Sequence, residues 1–299
     1  MPKTTYGIPV SLPLKKTTIP MNIFTKTKDI EEYLLQLRQA GKTTGFVATM
    51  GALHQGHLSL IQQAQQSNDV VICSIFVNPT QFNDPADLEK YPRPIADDIQ
   101  KLEQAGCDIL FNPEVSEIYA DHEQWHLNIG ELEHLLEGKF RPGHYQGVTQ
   151  VVYKLFNIIK PDTAYFGQKD YQQVMVISKM VQLLNMPVKL VMCAILREPD
   201  GLAMSSRNIH LTADDREHSL ILSKTLNWVK DNFDSDKIVE IKVAAEQQIT
   251  SEPGVELEYF EIVDGDTLHP ANQNTKNIVA LLAARVGKTR LIDNMITRP

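Results

Sequence analysis

The chain is short of several things, and each shortage excludes a class of protein. No stretch approaches 18 consecutive apolar residues, the minimum for a membrane-spanning helix. The N-terminus lacks a continuous hydrophobic centre followed by a small-residue cleavage site, so neither membrane insertion nor Sec export is expected. There are only 3 cysteines, Cys73, Cys107 and Cys193, far apart and each inside an apolar stretch. That usage reads as buried free thiols in a reducing cytoplasm rather than as disulfides or a metal cluster. No long basic run offsets the net charge of -8, so phosphate is expected on a small nucleotide and not on a nucleic acid.

What remains is ordinary globular material: 299 residues, 42% hydrophobic and 22% charged, enough for about two domains. The first 20 residues carry Pro2, Pro9, Pro13 and Pro20 with little periodicity, which predicts an extended arm over residues 1–20. Asp29 with Glu32 resembles a capping box, and Ile30, Tyr33, Leu34 and Leu37 share a helical face that Gly41 ends. Strands are predicted at 45–49, 70–77, 108–111, 163–166 and 188–193, with helices to about 66 and at 97–105, 148–159 and 171–184 between them. Strands alternating with helices across short turns indicate a parallel sheet with right-handed crossovers, a Rossmann-like, doubly wound α/β fold over residues 21–197. Beyond Arg197 two helices are followed by three strand-like segments with Gly265 and Gly287 at turns, which predicts a smaller α+β lid domain over residues 198–299.

Six segments carry chemistry. In Thr49-Met50-Gly51-Ala52-Leu53-His54-Gln55-Gly56-His57 a strand breaks at small residues and restarts as a helix, aiming free N–H groups and the positive end of the helix dipole above the sheet. His54 and His57 would bracket a phosphate while Gly56 lets it approach the backbone. A zinc pair or a polar helix start fits the same residues. Neither a dinucleotide fingerprint nor a P-loop occurs at this strand. Gly167-Gln168-Lys169-Asp170, also between a strand and a helix, offers Lys169 to phosphate and Asp170 to ribose hydroxyls, or else Asp170 caps the helix. Met204-Ser205-Ser206-Arg207-Asn208 follows the Asp200-Gly201 turn between the two domains, where it can wrap terminal phosphates as a closing loop or be a surface turn. Asn78 and Gln81, just past a buried strand, can read hydroxyl and carboxylate groups. Asp97 and Asp98 can hold Mg²⁺ or cap a helix, and Arg141-Pro142-Gly143-His144-Tyr145 can be a flexible cover or a basic contact.

Taken together and in order, the T-M-G-x-L-H-x-G-H turn, the S-I-F-V-N-P-x-Q-F strand end, Tyr91-Pro92-Arg93 with Asp97-Asp98, the R-P-G-H segment, F-G-x-K-D-Y-Q-Q and D-G-L-A-M-S-S-R-N resemble the pantothenate synthetase (pantoate–β-alanine ligase) family. That family belongs to the H-x-G-H nucleotidylyl-transferase superfamily, and the resemblance runs from about Met21 to the C-terminus. It implies that ATP and pantoate form pantoyl adenylate with loss of pyrophosphate, and that β-alanine then displaces AMP. It further implies ATP on Met50, Gly51, His54, Gly56, His57, Gly167, Lys169, Asp170, Leu196, Met204, Ser205, Ser206 and Arg207, with His54, His57 and Lys169 catalytic. Pantoate and β-alanine would meet Gln81, Gln173, Met50, Asn78 and Arg141. Mg²⁺ at Asp97 and Asp98, a homodimer through the first domain and a cytoplasmic location complete the implication. Two positions depart from the family pattern: Ala48 stands where Pro is usual, and Gln168 where Glu is usual. Another nucleotidylyl-transferring enzyme, which need not keep Gln81 and Gln173, and a nucleotide-sensing module that releases no pyrophosphate are the alternatives.

Overall fold

The computed structural model describes residues 20–120 and 123–298, so the arm expected over residues 1–20 lies outside them except for Pro20. The chain runs β1 (Asn22–Phe24), α1 (Thr27–Gln39), β2 (Thr44–Thr49), α2 (Gln55–Gln65), β3 (Val70–Ile75), α3 (Pro85–Lys90), α4 (Ile95–Gln104), β4 (Ile109–Phe111), α5 (Val115–Ile118), α6 (Leu136–Phe140), α7 (His144–Ile159), β5 (Thr163–Gly167), α8 (Tyr171–Leu183) and β6 (Lys189–Cys193). The C-terminal part adds α9 (Ala213–Asp231), α10 (Ile238–Thr250), β7 (Val255–Asp264), β8 (Ile278–Val286) and β9 (Thr289–Arg298).

β1 to β6 form one parallel sheet in the order β1-β4-β3-β2-β5-β6. Helices cover both faces. On one, Ile30 and Leu34 of α1, Val148 to Ile159 of α7 and Val176, Ile177 and Met180 of α8 pack on Phe46, Ile72 and Phe166. On the other, Leu58, Ile61 and Ala64 of α2 and Leu102 of α4 pack on Val47, Val71, Cys73 and Tyr165. Burial on two faces is why the strands read as continuous apolar runs and not as alternations. β2 lies between β3 and β5, so the chain leaves it toward one edge and returns on its other side. Loops after β2 and β5 therefore diverge to opposite faces, leaving a crevice beyond their carboxyl ends.

The small sheet is antiparallel, β7-β8-β9, and α9 and α10 bury Leu222, Leu226, Ile241, Ala245 and Ile249 against Phe260, Ala280 and Leu282. The fold expected from the sequence is thus found, with three local corrections. α1 begins at Thr27, after Lys26 in extended conformation with no side-chain cap, so Asp29 and Glu32 form no capping box. The helix expected from Val148 starts four residues earlier at His144, because Gly143 turns the chain at a φ of +79° and ends the loop there. β1 has no counterpart in the sequence pattern: three residues with mixed exposure carry no periodic signal, and only pairing with β4 makes them a strand. No helix among the described residues is long and apolar enough to cross a membrane, and the three cysteines are free, two of them buried.

Candidate active site

The crevice between the β2 and β5 loops opens into a cavity of about 280 Å³. Met50, His54, Gly56, His57, Asn78, Gln81, Arg141, Gly167, Lys169, Asp170, Gln173, Leu196, Met204, Ser205, Ser206 and Arg207 all line it. Segments from both ends of the parallel-sheet domain and from the loop beyond it thus meet at one site. Gly51, Asp97 and Asp98 do not line it.

The histidine turn is built on strained backbone. Gly51 and Ala52 follow each other with φ of +84° and +50°, a conformation that costs a non-glycine residue such as Ala52 about 1 kcal/mol or more. Asp98 on α4 holds it: the two carboxylate oxygens accept from the N–H groups of Ala52 and Leu53, each at 2.8 Å, and Lys101 donates to the Leu53 carbonyl at 2.8 Å. Asp98 is 1% exposed. This corrects the expected Mg²⁺ site. Asp98 has its oxygens on amides, Asp97 is exposed on the same helix, and no group of three or more His, Cys, Asp or Glu among the described residues could hold a metal. These residues do not fit a resident Mg²⁺.

The hydrogen bonds assign the histidine tautomers. His54 Nδ1 accepts from the Gly56 N–H at 3.1 Å, and His57 Nδ1 accepts from the His54 N–H at 3.4 Å. A nitrogen that accepts carries no proton, so in both rings Nε2 is the donor left for a ligand. The rings lie with centroids 4.0 Å apart. Burial, with Lys169 nearby, lowers the His54 pKa to about 4; burial, then His54 and Lys169, lower His57 to about 3. Both are neutral at pH 7 and present N–H groups without competing as cations.

Lys169 and Asp170 sit in a single 3₁₀ turn between β5 and α8. Asp170 makes no side-chain cap to α8, so the capping alternative fails, and its carboxylate is 48% exposed with Lys169 Nζ 3.8 Å away. Arg141 and Arg207 add positive charge: burial, then repulsion from Arg207, lowers the Arg141 pKa, and Arg207 has no ion pair among the described residues. An anionic ligand would relieve that repulsion.

On the opposite wall Gln81 donates to Met50 Sδ at 3.1 Å and accepts from Asn78 Nδ2 at 3.1 Å. Asn78 is 1% exposed and also bonds the Gly147 carbonyl and the Tyr119 hydroxyl. Its polar groups are therefore committed to holding Gln81, not to reading a ligand as expected. A Cβ at Gly147 would run into the backbone of Thr80 and Gln81, so glycine is what lets α7 press against this turn. Gln173 makes no side-chain hydrogen bond among the described residues, whereas its neighbour Gln172 donates to the Leu132 and Leu135 carbonyls.

His144, named only within the Arg141–Tyr145 segment, and Glu137, Arg290 and Arg216, which no motif marked, have specific partners here. His144 Nδ1 lies 2.9 Å from the Gln81 carbonyl and so carries the proton; Nε2 then accepts from Arg141 at 3.1 Å. Burial, then Arg141, lowers its pKa to about 4. Glu137 accepts two bonds from Arg290 and one from Tyr259; burial pushes its carboxyl up, but these donors offset that and leave it below its ordinary value. The Met204 loop is also more anchored than expected. Arg216 grips Glu198 and Asp200, and Asn208 donates to Glu198 and to the Ala203 carbonyl. The ties run from three residues, Arg141 to His144, to 153, Arg290 to Glu137, and no helical or strand period marks them.

A family model described as "Pantoate-beta-alanine ligase" matches residues 22–296. A pantothenate synthetase from Thermotoga neapolitana is 45% identical over 278 residues, 92% of this chain and 99% of that protein; one from Acetivibrio thermocellus is 43% identical over 281 residues, with the same shares covered. Among solved structures, pantothenate synthetase from Thermus thermophilus superposes with a TM-score of 0.87 at 37% identity, covering 93% of this chain and all of that one. A pantoate–β-alanine ligase from Francisella tularensis, complexed with "Beta-gamma ATP and Beta-alanine", does so with a TM-score of 0.77 at 39% identity, covering 93% and 98%.

Proposed function

The chain belongs to the pantoate–β-alanine ligase family, and on that premise we propose that it joins pantoate to β-alanine through a pantoyl-adenylate intermediate formed in the crevice beyond β2 and β5. It is an ATP-dependent ligase. A carboxylate is a poor acyl donor until one oxygen becomes a good leaving group. A pantoate carboxylate oxygen attacks the α-phosphorus of ATP, the bond to the β-phosphate oxygen breaks, and pyrophosphate leaves. The β-alanine amine then attacks the acyl carbon, loses a proton, and AMP departs with the former carboxylate oxygen.

The observation that carries the reading is the pair of neutral histidines that line the cavity and whose Nε2 donors have no hydrogen-bond partner among the described residues. Two preorganised N–H donors beside Lys169 suit charge that builds on the α-phosphoryl oxygens, and such groups act without reorganising. Asp170 takes the ribose hydroxyls, Met50 and Leu196 flank the nucleotide, Gly51 shapes the turn behind Met50 without reaching the cavity, and Ser205, Ser206 and Arg207 hold the terminal phosphates. Gln81 and Gln173 grip pantoate, with Arg141 on a carboxylate. Mg²⁺, where it takes part, arrives on the triphosphate and not on Asp97 and Asp98. The protein works in the cytoplasm as a homodimer through its parallel-sheet domain, which sedimentation at micromolar concentration checks.

Pyrophosphate release from ATP tests the reading directly. It should depend on pantoate and not on β-alanine, and a single turnover should leave an acid-labile pantoyl adenylate when β-alanine is withheld. Release without pantoate, or none with it, overturns the proposal.

A further inference from the structure

Two loops that face the cavity, the one after β5 and the one beyond β6, are tied to one dipeptide of the other sheet, Asp293-Asn294 on β9. Both residues line the cavity yet are buried, 4% and 1% exposed. Asn294 Nδ2 donates to the carbonyls of Gln168 and Lys169, each at 2.9 Å, and Asn294 Oδ1 accepts from Gln168 Nε2 at 3.0 Å. Every polar function of that amide is used, so its orientation is determined: the NH₂ group alone can serve two carbonyls. One residue earlier, Asp293 accepts two bonds from Arg197, at 2.7 and 3.0 Å. Arg197 in turn donates to the Gly201 carbonyl at 3.1 Å and pairs with Ala203 across the base of the loop that leads to Ser205 and Arg207.

Local structure does not set the distance between the loops so held, although Arg216 and Asn208 also anchor the second one. The turn carrying Lys169 is one 3₁₀ turn with no side-chain cap at either end, and residues 198–205 contain no helix or strand. We propose that Asp293 and Asn294 are positioning residues for the ligase reaction, setting from β9 the places of Lys169 and of the Ser205–Arg207 loop relative to the histidine turn. Gln168 joins this brace: its amide supplies a donor that a Glu there would lack when ionised. The proposal rests on the ligase reading above. Its physical content is that the α-phosphate and the terminal phosphates are held by loops whose spacing is fixed by two adjacent backbone positions, so neither loop can drift without breaking a buried bond. Misplacing a positioned group by about 1 Å costs on the order of 100-fold in rate.

The test compares Asn294→Ala and Asp293→Asn with wild type, by amide hydrogen exchange and by pantoate-dependent pyrophosphate release. Asn294→Ala should speed exchange at residues 167–170 and lower kcat by about 100-fold, with the KM for pantoate within about twofold. Asp293→Asn should speed exchange at residues 198–207 instead and raise the KM for ATP. A purely structural role would loosen the small sheet throughout and leave kcat and both KM values alone at temperatures far below unfolding. That pattern, or wild-type rates in either variant, overturns the proposal. If Asn294→Ala does not fold, Gln168→Ala removes the single bond to Asn294 Oδ1, and an unchanged kcat in it is equally fatal. Wild-type enzyme releasing no pyrophosphate would refute the ligase reading, while the exchange comparison, which needs no turnover, still decides the brace.

Discussion

His57 offers a quantitative check because its environment and its role make opposite demands on a proton. Its ordinary pKa of 6.5 falls to about 3 in the fold, through burial and through His54 and Lys169. The unfolded chain therefore binds a proton between these values that the folded chain refuses. Stability contributed by the neutral ring is present above pH 6.5 and is lost as pH falls toward 3. At pH 5 the unfolded imidazole is almost fully protonated and the folded one almost not, so the loss relative to pH 7.5 is about 2 kcal/mol, about 1.5 pH units at about 1.36 kcal/mol each. The figure hardly depends on the folded pKa once that lies below about 4.5. A His57→Gln variant has no such proton to refuse. Urea unfolding of both proteins at pH 7.5 and pH 5 should show the variant losing about 2 kcal/mol less than wild type. Equal losses would mean that His57 is protonated in the folded protein or exposed to solvent, and the assignment of Nε2 as a neutral donor would fall with it. The kinetic counterpart is that kcat/KM should show no histidine titration near about pH 6.5 on its acid side.

Three further outcomes follow from the same geometry. Gln81→Ala and Gln173→Ala should each weaken pantoate use by about 1–3 kcal/mol through an unpaired buried group, with ATP affinity in calorimetry without pantoate unchanged; equal weakening of ATP binding refutes the assignment. Asp98→Asn should lower the rate of adenylate formation by about tenfold or more, because an amide can serve only one of the two loop N–H groups and sets an NH₂ against the other; an unchanged rate would show that the histidine turn holds itself. Exchange at residues 205–207 should slow further when ATP binds, while Asn208 and Glu198, whose N–H groups bond the Ser205 and Leu202 carbonyls, are unaffected; protection unchanged by ATP would make the segment a static turn.

How legible the molecule was in its sequence depends on the distance over which each feature is decided. Apolar runs such as Val70 to Ile75 report a strand buried on both faces because the residues themselves must leave water, and helix-period stripes such as Val148 to Ile159 do the same. Alternation of the two is enough for a parallel sheet, and a parallel sheet is enough to say that the loops after Thr49 and after Gly167 open on the same side. The identities of His54, His57, Lys169 and Arg207 then suggest the phosphate chemistry proposed above, a reading that pantoate-dependent pyrophosphate release tests.

Roles that depend on partners were not legible. Asp98 looked like a metal ligand because a carboxylate in isolation is one; only the fold brings two amides of a strained turn against it and makes it a brace. Asn78 looked like a reader of substrate, and packing turns its amide onto Gln81 and Gly147. The neutrality of the histidines, the Glu137–Arg290 tie and the hold of Asn294 on Lys169 join residues up to 153 positions apart. Composition and periodicity act over a turn or two of chain and determine which elements form and which face they bury. Hydrogen-bond satisfaction and desolvation act between neighbours in space, so the tautomers, the braces and the charge state of this site are decided only by the tertiary structure that brings the two sheets and their loops together.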